Sequence, residues 1–404
     1  MNQELPGTLL LDPKVIQDPY PFYRQLQSHA PVWRVPGTEV FVVSSYALLT
    51  EAAGRVEDFS SNMLCLLYRD ERGLPSRLPF DDSSIQALAT ADPPVHTVHK
   101  RTVFPEFVAR RMALLEPEIV ELATRCVERA LDNRTVDFMA EIGNLIPITI
   151  ISRLIGFRNS DLDRLLRAAF DSTSLVGSTL SRQQLLELVT RSNDIGAWIA
   201  EQLAVAVSEP SEDILSSIGS GVKTGALSAR DGIVILQTLL AAGGESTTSL
   251  LGNAVRLLAD DQDLQRRLRR QPELIPAFVE EALRLESPFR SMLRSVPKDT
   301  TLGGVDIPAG ATVMMFWGAG NRDPAEFENP DEIVLDRPRR HLTFGRGIHF
   351  CVGAPLARLE ARIVLTTLLE RTSVVVLDPD QPPEWVESLQ VRRHQRLSMQ
   401  LAPR

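Results

Sequence analysis

Cysteine, tryptophan, tyrosine and histidine are scarce in this chain: three, four, four and six among 404 residues. The cysteines, Cys65, Cys126 and Cys351, are too few and too scattered for a disulfide framework or a zinc site, which points to a reducing compartment. Basic residues are outnumbered, 43 against 52 acidic ones, giving a formal net charge of −9. No basic domain or basic stripe with interleaved aromatics offsets this, so nucleic acid is not an expected partner. The N-terminus, Met1-Asn-Gln-Glu-Leu-Pro6, has neither a basic n-region nor an apolar core. A soluble cytoplasmic protein without membrane anchor is therefore expected. Nothing reads as a linker, and the expectation is one large domain over residues 1–404.

What is present is mostly helical periodicity. Short helices are expected from Asp18 to Gln27 and from Tyr46 to Gly54, with a hairpin between them around Pro36-Gly37. This gives a β-rich N-terminal part within about residues 1–60. From Asp58 to Ala91 periodicity is lost, yet Met63-Leu-Cys-Leu-Leu-Tyr68 is too apolar to be solvated, and a long loop in a compact domain suggests a substrate-lining role. A helical core follows over 92–290, with segments at 114–131, 142–155, 162–170 and 182–207. Ser228-Ala-Arg-Asp231 opens like a capping box, and apolar periodicity then runs from Ile233 to Leu258 without proline. In its middle, Gly243-Gly244-Glu245-Ser246-Thr247-Thr248 places two glycines, an acid and hydroxyls where each glycine costs about 1 kcal/mol relative to alanine. A buried carboxylate there needs a reason.

One stretch carries the clearest chemistry. From His341 to Arg358 a loop punctuated by Gly345 and Gly347 offers one thiol, Cys351, and turns at once into a helix with Pro355 in its first turn. Free N–H groups and the helix dipole there favour a thiolate. Phe344 and Phe350 supply apolar surface beside the sulfur, and the glycines let backbone approach something flat and large. Thiolate, aromatic shielding and close backbone approach describe an axial ligand for haem iron.

Phe344-x-x-Gly347-x-His349-x-Cys351-x-Gly353 resembles the haem-binding loop of the cytochrome P-450 family. Other motifs in family order strengthen the likeness. Asp92-Pro93-Pro94-Val-His96-Thr-Val-His99-Lys100-Arg101 resembles the helix whose basic residues grip a haem propionate, with Lys100 where arginine is usual, so that Lys100 or Arg101 takes the contact. Ala242-Gly243-Gly244-Glu245-Ser246-Thr247 resembles the oxygen-activation motif A-G-x-(D/E)-T-T, with Ser246 replacing threonine. Glu281-x-x-Arg284 resembles the family's structural ion pair, with Arg337 as third partner.

The resemblance implies a mainly α fold with smaller β-sheets (α+β), haem lying between the long helix and the cysteine loop at 341–353. It implies haem b as cofactor, Cys351 as iron ligand, and Phe344, Gly243, His96, Lys100, Arg294 and His349 as cofactor-binding residues. Glu245, Ser246 and Thr247 are the implied catalytic set, the first two supplying protons for oxygen activation. The implied activity is a monooxygenase inserting one atom of O2 into a small or medium-sized apolar substrate. Its partners are an iron–sulfur ferredoxin and an NAD(P)H ferredoxin reductase, and a monomer is expected. Lys100, Arg101, Arg110, Arg111, Arg346, Arg358 and Arg362 form the expected ferredoxin-docking face. The helices flanking 171–181 are implied to roof the pocket, with mobile tips. A peroxide-driven haem-thiolate enzyme and a non-catalytic haem-thiolate sensor are the alternatives.

Overall fold

The computed structural model describes residues 5–80, 86–133 and 135–404. In chain order the first part contains α1 (Pro13–Gln17), α2 (Tyr20–His29), β1 (Val32–Arg34), β2 (Val40–Val43), α3 (Tyr46–Gly54), β3 (Cys65–Arg69) and β4 (Pro75–Pro79). The helical part follows with α4 (Val95–Val103), α5 (Ala109–Leu131), β5 (Thr135–Asp137), α6 (Leu145–Ile155), α7 (Leu162–Leu175), α8 (Arg182–Ser208), α9 (Ile214–Lys223) and α10 (Ala229–Asp260). Next come α11 (Gln262–Arg270), α12 (Ile275–Leu285), β6 (Met292–Ser295), β7 (Thr300–Leu302), β8 (Val305–Ile307), β9 (Thr312–Met315) and α13 (Trp317–Gly320). After the cysteine loop the chain ends with α14 (Ala354–Arg371), β10 (Thr372–Leu377), β11 (Glu384–Trp385), β12 (His394–Arg396) and β13 (Ser398–Pro403). Among the described residues no helix is long and apolar enough to cross a membrane.

The apolar run Val40-Phe-Val-Val43 forms β2 because both of its faces are covered. It lies inside a sheet of order β1-β2-β9-β6, parallel to β9 and antiparallel to β1. Val40, Val42 and Met314 pack on one face against Phe22, Tyr23 and Leu26, while Phe41, Val43, Val313 and Met315 pack on the other against Leu49 and Phe59. A separate, larger core joins α5, α6, α10, α12 and α14.

Helix α10 is the axis of that core. Its 32 residues span about 48 Å at 1.5 Å per residue. Ser228 caps it, accepting from Asp231 N–H, and the Asp231 carboxylate accepts in return from Ser228 N–H. Just before α6 one π-helical turn, Met139–Gly143, leaves the Gly143 carbonyl to accept the hydroxyl of Thr248 on α10 at 3.0 Å.

Two loop expectations need correction. Most of the apolar stretch at 63–68 is a strand, not a pocket lining: from Cys65 it forms β3, which pairs with β4, and Cys65 and Leu67 are buried in the core beside the large sheet. Its turn is set by Asp70, which accepts the N–H groups of Arg72 and Leu74, and by Gly73 at φ +76°. From the 63–90 region Leu88 and Ala89 reach the central cavity, while residues 81–85 lie outside the described residues. The segment 171–181 does not line the cavity. Helix α7 runs on to Leu175, and the turn is tied down where Gly177 O accepts Leu389 N–H and Thr179 Oγ1 donates to Glu387 O.

Candidate active site

Beneath the middle of α10 lies a cavity of about 220 Å³. Its floor is the cysteine loop. Asn321 holds the start of this loop, accepting Leu342 N–H and donating to Thr343 Oγ1 at 2.8 Å. Gly345 and Gly347 adopt φ +68° and +69°, conformations that a Cβ would strain. Cys351 N–H donates to Phe344 O at 2.9 Å, closing the loop just before α14. The sulfur faces the cavity, where the N–H groups of Gly353 and Ala354 favour its thiolate. Burial pushes the thiol up, while those N–H groups and the charges of Arg358 and Lys100 pull the other way. Cys65 and Cys126 are buried in the cores, away from the cavity lining. Phe344 and Phe350 line the cavity with the sulfur, their ring centroids 6.3 Å apart.

At one edge of the cavity His96, Lys100, Arg294 and His349 come together. The rings of His96 and His349 lie 4.3 Å apart, and His349 Nε2 is a buried atom without a hydrogen-bond partner. Burial, with Arg294, His96 and Lys100 nearby, pushes His349 down to about 3. Burial lowers Arg294 to about 10, and Asp92 is the carboxylate that opposes this. Such a cluster, with an orphaned ring nitrogen and little negative charge, suits the carboxylate edge of a flat ligand. Lys100 makes a contact of its own to the loop. Its Nζ donates to Ile348 O at 2.6 Å and Phe350 O at 3.3 Å, bracketing His349 and holding the loop next to Cys351. Arg101 is exposed and does not line the cavity.

The opposite wall is α10. Ala242, Gly243, Ser246, Thr247 and Leu250 line the cavity, and Ser246 Oγ donates to Ala242 O. Glu245 does not line it. Its buried carboxylate accepts Arg393 Nε at 2.7 Å, Thr173 Oγ1 at 3.1 Å and Ser249 Oγ at 3.2 Å. The reason is helical phase: residue 245 faces α7 while 243, 246, 247 and 250 face the cavity. Burial pushes the Glu245 carboxyl up, against the pull of Arg393. The glycines also serve packing. A Cβ on Gly243 would sit 2.6 Å from Ile151 Cγ1, and one on Gly244 would sit 3.1 Å from Ile148 Cδ1.

Behind the loop lies a buried ion network. Arg284 grips Glu281 through Nε and Nη2, each at 2.8 Å, and donates to the carbonyls of Asn321, Pro330 and Glu332. Arg337 Nε reaches Glu281 at 3.3 Å. Sequence reasoning passed over Arg393, Thr173 and Glu280. The doubled acid Glu280-Glu281 was the visible signal for the last, and nothing near Arg393 marked it. The expected docking face is partly neutralised, since Arg111 pairs with Glu106, Arg358 with Glu280 and Arg362 with Glu116.

A thiol beneath a hydroxyl-bearing helix, with a cationic edge between them, defines a haem-thiolate protein. Comparison with known proteins agrees. The family model for Cytochrome P450 matches residues 213–399. Cytochrome P450 144 of Mycobacterium tuberculosis is 38% identical over 388 residues, covering 95% of this chain and 89% of its own length. Beta-dihydromenaquinone-9 omega-hydroxylase of Mycobacterium bovis is 30% identical, covering 97% and 78%. Among solved structures, CYP109E1 of Bacillus megaterium in complex with testosterone superposes with a TM-score of 0.85 at 27% identity, covering 96% and 99%. The chain belongs to the cytochrome P450 family. It is a P450 monooxygenase whose cofactor is haem b with a cysteine thiolate ligand.

Proposed function

We propose that Cys351 is that ligand, and that the enzyme inserts one oxygen atom from O2 into a neutral, small or medium-sized apolar substrate. The observation that carries this reading is the convergence of the Cys351 sulfur, the Ser246 and Thr247 side chains and the His96–Lys100–Arg294–His349 edge on one cavity. Bound haem supplies the oxygen chemistry, its thiolate favouring O–O cleavage. The chain's own residues do the rest. His96, His349 and Arg294 hold the propionate edge, and Lys100 fixes the loop. Ser246 places its hydroxyl oxygen at the cavity wall, the proton resting on Ala242 O until a ligand draws it over. Glu245 stands one helical step behind, bonded to Arg393, and would relay protons to the cavity by turning away from that arginine. Leu88, Ala89, Leu239, Phe289 and Met292 give the substrate side an apolar lining without fixed charge, which supports the substrate class. The testosterone complex of the Bacillus megaterium relative is consistent with it.

Electrons come, in this reading, from a ferredoxin and its NAD(P)H reductase in the cytoplasm. Arg101, Arg110 and Arg346 are the exposed cations left on the expected docking face. The test begins with haem loading and the ferrous carbon monoxide spectrum. A strongly red-shifted Soret band, lost in Cys351→Ser, is expected, and a Cys351→Ser protein that keeps the band removes the ligand assignment. A substrate found by Soret shift then allows turnover to be compared. Ser246→Ala should divert NAD(P)H consumption to peroxide, and Glu245→Gln should slow turnover by about 10²-fold. Turnover with peroxide but not with a ferredoxin system would replace the electron route by a peroxygenase.

A further inference from the structure

Glu280 stands beside the Glu281 network and takes no part in it. Its buried carboxylate accepts Arg358 Nε at 2.6 Å and Nη2 at 2.9 Å, and lies 3.1 Å from His341 Nε2. One side chain of α12 thus holds the first residue of the cysteine loop and the first turns of α14 together. Both of its partners touch the same ring. The Arg358 guanidinium carbon lies 4.5 Å from the Phe344 centroid, and the His341 ring 5.8 Å from it. Phe344 in turn accepts Cys351 N–H through its carbonyl at 2.9 Å and lines the cavity beside the sulfur.

Arg358 is therefore not a free surface cation. Two of its nitrogens are engaged, its plane is laid against an aromatic face, and its charge acts on the Cys351 sulfur. Against the push of burial, the hydrogen bonds from Arg358 and His341 hold Glu280 well below the usual carboxylate range, at about 2, so the acid is ionised at neutral pH. A positive charge near a thiolate favours further negative charge at the metal it binds, and a carboxylate bonded to that cation offsets the effect.

We propose that Glu280 is a positioning residue that sets the electrostatic field on the Cys351 thiolate, by fixing Arg358 against Phe344 and partly cancelling its charge. The proposal rests on Cys351 being the haem ligand, and it reassigns Arg358 from partner docking to tuning of the cofactor.

The test is a spectroelectrochemical titration of the substrate-free holoenzyme, in which dithionite delivers one electron per haem through mediators. Glu280→Gln leaves the Arg358 charge uncompensated, so the ferric–ferrous potential should rise. Arg358→Gln leaves the Glu280 charge uncompensated, so the potential should fall. The double variant should return close to the parent, and Arg358→Lys should stay nearer the parent than Arg358→Gln does. A merely structural link would move both single variants in the same direction, or neither, and either result overturns the proposal. Should Glu280→Gln fail to take up haem, the Arg358 pair decides alone: equal potentials for Arg358→Lys and Arg358→Gln overturn it. Failure of the ligand assignment is separately visible, as a thiolate Soret band surviving in Cys351→Ser.

Discussion

Replacing Gly243 by alanine tests why α10 carries glycine at its centre. The added methyl would lie 2.6 Å from Ile151 Cγ1, 2.8 Å from Cδ1 and 3.1 Å from Cβ, where ordinary contact begins at 3.4 Å. The conflict involves the root of the isoleucine side chain, so rotating its tip does not relieve it. α10 or α6 must move by several tenths of an ångström, and overpacking of this kind costs about 1–3 kcal/mol. Alanine in mid-helix returns about 1 kcal/mol of propensity. The expected net loss for Gly243→Ala is then about 0–2 kcal/mol. Ile151→Ala alone should cost about 2–5 kcal/mol by leaving a cavity. In the double variant the new methyl enters the vacated room, so the two effects should couple by about 1–2 kcal/mol. Urea unfolding of the three variants and the parent, followed by far-UV circular dichroism at unchanged slope, measures this. Additivity within about 0.5 kcal/mol, or a Gly243→Ala protein stabilised by the whole propensity gain, would refute the packing argument.

Lys100→Met removes a charged donor from Ile348 O and Phe350 O, and at a half-buried site about 1.4 kcal/mol of loop order should be lost, releasing haem to an apoglobin scavenger about tenfold faster. Lys100→Arg should release it no faster than the parent, and faster loss would show that the carbonyl contacts need a point charge. Arg284→Met breaks a buried ion pair and strands three carbonyls, so a loss of at least about 3–5 kcal/mol is expected; near-parental stability in urea would contradict the scaffold role. His394 is fully buried, stacked 3.6 Å from Trp385, and held down to about 3 by burial and by the arginines around it. The unfolded chain, at about 6.5, binds the proton first, so stability is lost as pH falls from about 6.5 towards 3, by roughly 2 kcal/mol at pH 5. His394→Phe should flatten that acid limb, and a pH profile parallel to the parent's would disprove the linkage.

Much of this architecture is legible in the residues because local signals and tertiary demands agree. Ser228 and Asp231 mark the start of α10, and Tyr46–Gly54 reads as α3 from periodicity alone. The cysteine loop is legible because its chemistry needs glycine, aromatic and thiol at fixed intervals. β3 and β4 were hidden since prolines at both ends of β4 imitate a loop and neither strand alternates in polarity. What a side chain touches across the fold was beyond reach. Motif spacing carries Glu245 and Lys100 to the site, but the phase of α10 and the placement of α4 decide that one carboxylate faces Arg393 and one ammonium faces carbonyls.

The short strand β5 has a consequence for how the enzyme is made. Its partner is β13, and Asp137 also accepts the N–H of Leu397, 260 residues further along the chain. A ribosome adding 5–20 residues per second takes roughly 13–50 s to cover that stretch. Throughout this interval the edge of β5 waits unpaired, while Gly252 on α10 waits for the imidazole of His394 that will pack against it. The cysteine loop is made before β13, so its surroundings are complete only once that strand has docked. The β10-β13-β5 sheet can therefore form only after β13 is made, and deleting β13 should yield a protein that folds its helices but holds haem poorly.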